Sequence, residues 1–96
     1  MPVDSNLELQ TTVQNSDKLL AVLADILPDT HSYKGCQSIV VTSNQDDPLN
    51  IILLEKWDQR SDHDAYSARR RARGDMHQLG ALLTTPPIVR FLNPIT

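Results

Sequence analysis

The chain has 96 residues, of which 40% are apolar, and a formal net charge of −3. This length suits one domain, and the small acidic excess argues against a general binder of nucleic acids or anionic membranes. The sequence contains neither a signal-peptide pattern nor an apolar run of about 18 residues, and the single Cys36 has no cysteine partner in the chain. The composition therefore predicts one soluble, cytoplasmic domain over residues 1–96.

The first half of the chain predicts a strand, a helix and a β-hairpin. Apolar and polar residues alternate from Leu7 to Gln14, which is typical of a strand with one buried side. Apolar residues at helical spacing follow, and we expect Pro28 to end that helix and a loop to cover residues 29–35. Strands at Cys36–Thr42 and Asn50–Trp57 are separated by turn-forming residues, so they should pair as a hairpin.

The second half predicts two helices and a closing strand. Ser61 and Asp64 have the spacing of a capping box, so we expect a helix to begin there and to end at Gly74. Asp75 should cap a third, short helix with an apolar stripe. A short strand is predicted at residues 88–92, next to prolines that suit a sheet edge or a strand end. The predicted order is β-α-β-β-α-α-β.

Two of these strands have apolar residues pointing to both faces of the sheet. They contain Ile51–Leu54 and Ile39–Val41. The predicted helices suffice for only one face of a four-stranded sheet, and an exposed apolar face costs about 25 cal/mol per Å². We therefore expect a homodimer that forms through the sheet face. The alternative is a monomer that tolerates a partly apolar face.

Three features, in this order, resemble the antibiotic biosynthesis monooxygenase family. They are a Gly35-Cys36 pair that opens a strand, the Ile-Leu-Leu-Glu-Lys-Trp run at 52–57, and a helix that starts soon afterwards. The resemblance implies an α+β, ferredoxin-like protomer with a four-stranded antiparallel sheet, which pairs as a dimeric α+β barrel. Several activities are compatible with it, because the family includes cofactor-free oxidases of phenols and quinols, haem-degrading members and proteins of unknown activity.

Trp57 and Tyr66 are the substrate-binding candidates that this resemblance implies. Trp57 stands where several family members line a cavity between sheet and helices, although a lone tryptophan on a strand is also typical of a core. Tyr66 stands where many members have a histidine, which ligates iron in the haem-degrading ones. The tyrosine therefore argues against haem degradation. It would hydrogen-bond a phenolic substrate, or else lie on the helix surface.

His63 and His77 are the catalytic candidates. They fall near positions where anthrone-oxidising members have a tyrosine and an arginine in the pocket. Histidine in general titrates at a pH of about 6.5, so it can accept a proton from a phenol or quinol near neutral pH and leave an anion that reduces O₂ directly. Both stand at the start of a predicted helix, so exposure to solvent is the alternative.

The remaining charged residues have structural alternatives. Glu55 shares a strand face with Trp57 and is expected either to pair with a cation such as arginine or to act as a pocket carboxylate. The arginine run at 69–73 suits a solvated helix face, or a patch that steers an anionic substrate. The three histidines lack the i, i+4 spacing of a helical metal pair, so we expect no metal site. The resemblance to cofactor-free oxidases implies that no other cofactor is needed.

The resemblance, which covers the domain core at about 7–94, together with Trp57 thus implies a cofactor-independent monooxygenase of a small aromatic, phenolic or quinol substrate with O₂. The alternative is a non-catalytic ligand-binding or interaction dimer of the same fold. That alternative is motivated by the absent helix-two histidine and by the pocket positions that do not match.

Overall fold

A computed structural model describes residues 2–96 as a four-stranded antiparallel sheet with three helices. The elements in chain order are β1 (Val3–Gln10), α1 (Ser16–Ser32), β2 (Cys36–Asn44), β3 (Asp47–Trp57), α2 (Arg60–Ala72), α3 (Asp75–Gly80) and β4 (Ile88–Leu92). The strand order is β2-β3-β1-β4, so β3 and β1 lie in the centre of the sheet. The predicted α+β, ferredoxin-like fold and its order of elements are confirmed.

β1 lies closer to the N-terminus than the alternation predicted. It pairs with β3 from Val3, opposite Trp57, to Gln10, opposite Asn50. Val13, which the alternation placed in the strand, is exposed in the turn that follows. The pairing with neighbouring strands on both sides, rather than the hydrophobic pattern, sets the start of this strand.

α1 continues through Pro28, where the sequence predicted its end. Proline removes one hydrogen bond from the helix ladder, but contacts of the next turn with α2 hold the helix together. Asp29 forms an ion pair with Arg70 at 3.0 Å, and Thr30 is buried. The predicted loop is therefore wrong over residues 29–32, and the extra helical turn places two polar side chains near α2.

The β-hairpin is confirmed, with a tighter turn than predicted. β2 and β3 pair up to Asn44, opposite Asp47, which leaves two residues in the turn.

The predicted capping box is wrong, because α2 begins at Arg60 and Gln59 occupies the N-cap position without a side-chain hydrogen bond. Ser61 lies inside the helix.

The helices pack against one face of the sheet and form the core there. Its buried apolar residues come from β1, β3, α1 and α3: Leu9, Leu19, Leu23, Ile51, Leu53 and Leu79. α2 contributes none of these residues, and its own buried residues are His63 and Arg70. One of the helices that cover the sheet is therefore polar on its inner side.

The opposite face of the sheet is uncovered in the single chain. Its exposed apolar residues come from β2, β3 and β4: Val40, Leu54, Ile88 and Leu92. By strand alternation β1 presents polar residues between them, such as Asn6 and Glu8. The outer face therefore has exposed apolar residues on both flanks, polar residues along β1, and the charged Lys56 and Arg90 beside them. In residues 2–96, no helix combines the length and apolar character that a membrane crossing requires.

Candidate functional site

A cavity of about 60 Å³ lies between the inner face of the sheet and the helices. Leucine and isoleucine side chains of β1, β2, β3 and α1 form much of its wall. The polar side chains that line it include Thr30, Glu55, His63, Tyr66, Ser67 and Arg70. It is the place in the fold where titratable groups meet an apolar wall.

α2 supplies four of these polar residues from one face. His63, Tyr66, Ser67 and Arg70 stand at i, i+3, i+4 and i+7, the spacing that puts side chains on the same side of a helix. Because such a face is normally apolar in a helix that packs on a sheet, its polar character is the sequence signal of the site. The predicted site included neither Ser67 nor this spacing.

Glu55 enters the cavity from β3. It is 8% exposed and accepts a hydrogen bond from Trp57 Nε1 at 2.9 Å. Burial raises the pKa of Glu55, while the Trp57 hydrogen bond and the charge of nearby His63 act against that rise. Of the two predicted alternatives, the structure supports the pocket carboxylate, because the partner of Glu55 is an indole and not an arginine.

His63 is also 8% exposed, so the predicted alternative of a solvated side chain is wrong. Its ring packs edge-on against Trp57 at 5.6 Å and against Phe91 at 4.8 Å between ring centroids. His63 Nδ1 lies 3.4 Å from Asp64 Oδ1, and Nε2 lies 3.5 Å from Ser67 Oγ. Aromatic packing therefore fixes the imidazole at the cavity wall.

Tyr66 lines the cavity rather than the helix surface. Its ring lies 5.3 Å from the ring of Tyr33 and 5.4 Å from that of Trp57. The hydroxyl accepts a hydrogen bond from Arg70 Nε at 2.8 Å and forms a second, short one with Thr30 Oγ1. The phenol group is therefore held in place by both helices that meet at the cavity.

Arg70 is the site residue that the sequence analysis missed. It is only 4% exposed, whereas the arginine run was expected to be solvated. Its guanidinium binds Asp75 Oδ2 at 2.9 Å, Asp29 Oδ2 at 3.0 Å and the Ile26 carbonyl at 3.0 Å. Burial works against the charge, but the hydrogen bonds to Tyr66 and then Asp75 keep the pKa of Arg70 above its ordinary value. Arg70 joins all three helices.

Two predicted site residues lie elsewhere. Trp57 is completely buried and is not among the cavity-lining residues. It donates a hydrogen bond to Glu55, and its ring packs against the rings of His63 and Tyr66. His77 is exposed on α3 and borders a separate groove next to the prolines that precede β4. The structure therefore brings His63 and Tyr66 together but leaves His77 apart from them.

The part of the chain from residue 2 onward contains no cluster of three His, Cys, Asp or Glu residues arranged to hold a metal ion.

A family model described as antibiotic biosynthesis monooxygenase matches residues 6–74, more than half of the chain. The chain belongs to the antibiotic biosynthesis monooxygenase family. This confirms the resemblance inferred from the strand and helix motifs. No curated protein matches this family member at a significant level.

Solved structures share its fold at low sequence identity. Rv0793 of Mycobacterium tuberculosis is 24% identical, with a TM-score of 0.87 over 100% of this chain and 97% of its own. A conserved protein of Methanosarcina mazei is 13% identical, with a TM-score of 0.89 over 97% and 92% of the two chains. A monooxygenase of Streptomyces coelicolor in complex with nanaomycin D is 15% identical, with a TM-score of 0.80 over 98% and 88%. At these identities the likeness shows the fold alone.

Proposed function

We propose that the protein is a monooxygenase that acts without a cofactor on a small aromatic, phenolic or quinol substrate with O₂. The observation that carries this proposal is that His63 and the buried carboxylate of Glu55 line one cavity, whose wall also includes leucine and isoleucine side chains. Family membership supports the reaction class, and the S. coelicolor monooxygenase of the same fold was solved with nanaomycin D bound.

In the proposed reaction, His63 accepts the proton of a substrate hydroxyl, which leaves an electron-rich anion in an apolar space. The anion gives one electron to O₂, the resulting ring radical and superoxide combine to a peroxide anion, and protonated His63 returns its proton to give the hydroperoxide. Loss of water from a CH–OOH carbon leaves a carbonyl, so that CH₂ and O₂ become C=O and H₂O. One oxygen atom enters the product and the other enters water.

The neighbours of His63 have supporting roles in this proposal. Glu55 and His63 both contact Trp57, and in the proposed reaction the Glu55 carboxylate attracts the positive charge that His63 gains with the substrate proton. Trp57 holds Glu55 through the 2.9 Å hydrogen bond. Tyr66 offers a hydrogen-bonding group elsewhere on the cavity wall.

Oxygen consumption with a panel of quinols, anthrones and phenols tests the proposal. The wild-type protein should consume O₂ above the buffer rate with at least one compound. His63→Gln should lower kcat by about 100-fold or more, since a positioned proton acceptor typically contributes 10²–10⁴. His31→Gln is the matched control, because His31 lies exposed in the last turn of α1. If no compound raises O₂ consumption above the buffer rate, the result contradicts the oxygenase proposal.

We also propose that a second copy of the chain covers the outer face of the sheet. Exposed Val40 and Leu54 lie on one flank of that face, and Ile88 and Leu92 lie on the other. A partner sheet would bury these apolar flanks, and the resemblance to dimeric α+β barrels supports this arrangement.

Sedimentation equilibrium tests the assembly. The wild type should sediment at twice the chain mass of 10.8 kDa, and Leu54→Lys should shift it toward the single-chain mass. Leu20→Lys introduces the same change at an exposed leucine of α1 and should leave the mass unchanged. A wild-type mass of one chain at micromolar concentration would contradict the dimer.

A further inference from the structure

The aromatic side chains of this protein form one continuous row through its interior. The sequence has two tyrosines, one tryptophan and one phenylalanine, and all four belong to the row. Ring centroids are 5.3 Å apart between Tyr33 and Tyr66, and 5.4 Å apart between Tyr66 and Trp57. Beyond Trp57 the row continues with His63 and then Phe91, at 5.6 and 4.8 Å. All four distances lie in the range of packed aromatic pairs, roughly 4.5–7 Å.

The row connects the cavity with the protein surface. His63 and Tyr66 line the cavity. Trp57 is completely buried and contacts both of these rings. Tyr33 is half-buried and stands at the C-terminal end of α1. Tryptophan and tyrosine give up one electron much more readily than phenylalanine or imidazole. Three oxidisable rings in contact therefore lead from the cavity to the surface.

Trp57 has a proton acceptor in place at the inner end of this path. Loss of an electron makes an indole N–H strongly acidic, and Trp57 Nε1 already donates a hydrogen bond to Glu55 Oε1 at 2.9 Å. Burial raises the pKa of Glu55, so this carboxylate holds a proton more firmly than an exposed glutamate does. Oxidised Trp57 can therefore pass its proton to Glu55 without any movement of the two side chains.

Of the two tyrosines, Tyr33 is the better end point. Arg70 Nε donates a hydrogen bond to the Tyr66 hydroxyl at 2.8 Å, and a positive charge beside a phenol disfavours the loss of an electron. The guanidinium of Arg69 also lies over the Tyr33 ring, at 5.4 Å from its centroid, but its side chain is 41% exposed and its charge is screened by solvent. At the surface, water accepts the proton that an oxidised Tyr33 releases.

We propose that Trp57, Tyr66 and Tyr33 form an electron-transfer path that reduces oxidising radicals formed in the cavity. The source of the oxidant rests on the proposed function. When superoxide leaves the cavity before it combines with the ring radical, O₂ adds to that radical and forms a peroxyl radical. The path removes this oxidant before it damages the buried side chains of the site.

The electrons and protons of the reduction balance. The peroxyl radical takes one electron from Trp57 and the proton held by His63, which gives a hydroperoxide. Trp57 leaves its Nε1 proton on Glu55. An electron then passes from Tyr33 through the Tyr66 ring to Trp57, which takes its proton back from Glu55. Tyr33 releases its hydroxyl proton to water and becomes a tyrosyl radical, and a thiol in solution returns a hydrogen atom to it.

Flash photo-oxidation tests the path without any substrate, so the result does not depend on O₂ consumption. Trp57 is the only tryptophan, so light at the long-wavelength edge of indole absorption places the radical at one known residue. A cobalt(III) ammine complex in solution takes up the ejected electron irreversibly. In the wild type under argon, the absorption of the tryptophan radical should decay while that of a tyrosyl radical rises by a matching amount.

Three variants locate the path. Tyr33→Phe removes the end point, so the tyrosyl signal should be lost. Tyr66→Phe is the matched control: it removes the other phenol but keeps the ring between Trp57 and Tyr33, so the tyrosyl signal should remain. Tyr66→Leu removes that ring and should lengthen the lifetime of the Trp57 radical by about tenfold or more. Far-ultraviolet circular dichroism checks that each variant is folded.

A Trp57 radical that decays in the wild type without a tyrosyl signal overturns the proposal, whichever group supplied the electron. A tyrosyl signal that survives in Tyr33→Phe overturns the surface end point. Oxygen consumption is read separately: the path without O₂ consumption retains the electron transfer and refutes the oxygenase, whereas O₂ consumption without the path does the reverse.

Discussion

α1 and α2 cover the same face of one sheet, yet they do so with opposite chemistry. α1 buries Leu19 and Leu23, whereas α2 buries His63 and Arg70. Apolar side chains stabilise by removing area from water, without regard to direction. Buried polar side chains need partners at defined positions, because an unpaired buried group costs free energy. α1 thus mainly supplies stability, and α2 supplies a wall with fixed hydrogen-bond directions.

The two helices meet at the turn that follows Pro28. Asp29 and Thr30 lie on α1, but their partners are Arg70 and Tyr66 of α2. The last turn of the apolar helix is therefore part of the polar network. The contrast between the apolar α1 and the polar α2 can be tested by removing one buried group from each helix and measuring the effect on stability and on activity.

The largest expected effect on stability comes from the apolar helix. Leu19→Ala should lower the free energy of unfolding by about 3 kcal/mol, because it leaves a cavity at a completely buried position. Leu20→Ala, on the exposed side of α1, should change it by about 0.5 kcal/mol or less. Urea denaturation at fixed protein concentration measures both. Equal losses in the two variants would contradict the role of the Leu19 face.

A somewhat smaller loss is expected from the polar helix. Arg70→Met should cost about 2 kcal/mol, because it leaves Tyr66 and the partly exposed Asp29 and Asp75 without their partner. Arg69→Met alters an exposed arginine that lies 3.5 Å from Asp29 and should cost about 0.5 kcal/mol or less. Ligand binding should weaken only in Arg70→Met. If the two variants unfold alike, Arg70 does not join the helices energetically.

The smallest effect, and one of opposite sign, is expected at Glu55. Because burial raises the pKa of Glu55, the folded chain holds a proton that the unfolded chain releases, so its contribution to stability falls as the pH rises from 4.5 through the folded pKa. Glu55→Gln keeps an acceptor for Trp57 and removes this loss. We expect it to raise Tm by a few degrees at pH 7 and to leave Tm unchanged at pH 4, while activity falls.

Glu8→Gln provides a control of the opposite sign. Hydrogen bonds from Arg90 and Asn50 lower the pKa of Glu8, so its contribution is present above the unfolded pKa and is lost as the pH falls. This variant should therefore be slightly less stable than the wild type at pH 7 and equal to it at low pH. A rise in Tm at pH 7 in both variants would indicate a general effect of removing negative charge rather than the burial of Glu55.

Hydrophobic periodicity was sufficient to predict much of the fold. The hairpin, the closing strand at Ile88–Leu92 and the order of elements follow from local patterns that the tertiary structure keeps. The errors occur where distant residues decide. Val3 joins β1 because Trp57 of β3 pairs with it, and residues 29–32 stay helical because Arg70 and Tyr66 hold them.

For the candidate site, the sequence by itself determined which chemical groups are present, and the helical spacing of His63, Tyr66 and Arg70 already places them on one face. Only the tertiary structure decided that this polar face turns inward, that His77 stays outside, and that Glu55 pairs with Trp57. The physical reason is that burial of a polar group depends on partners from other elements. For Arg70 these partners are Asp29, Ile26 and Asp75, which no local pattern around Arg70 brings together.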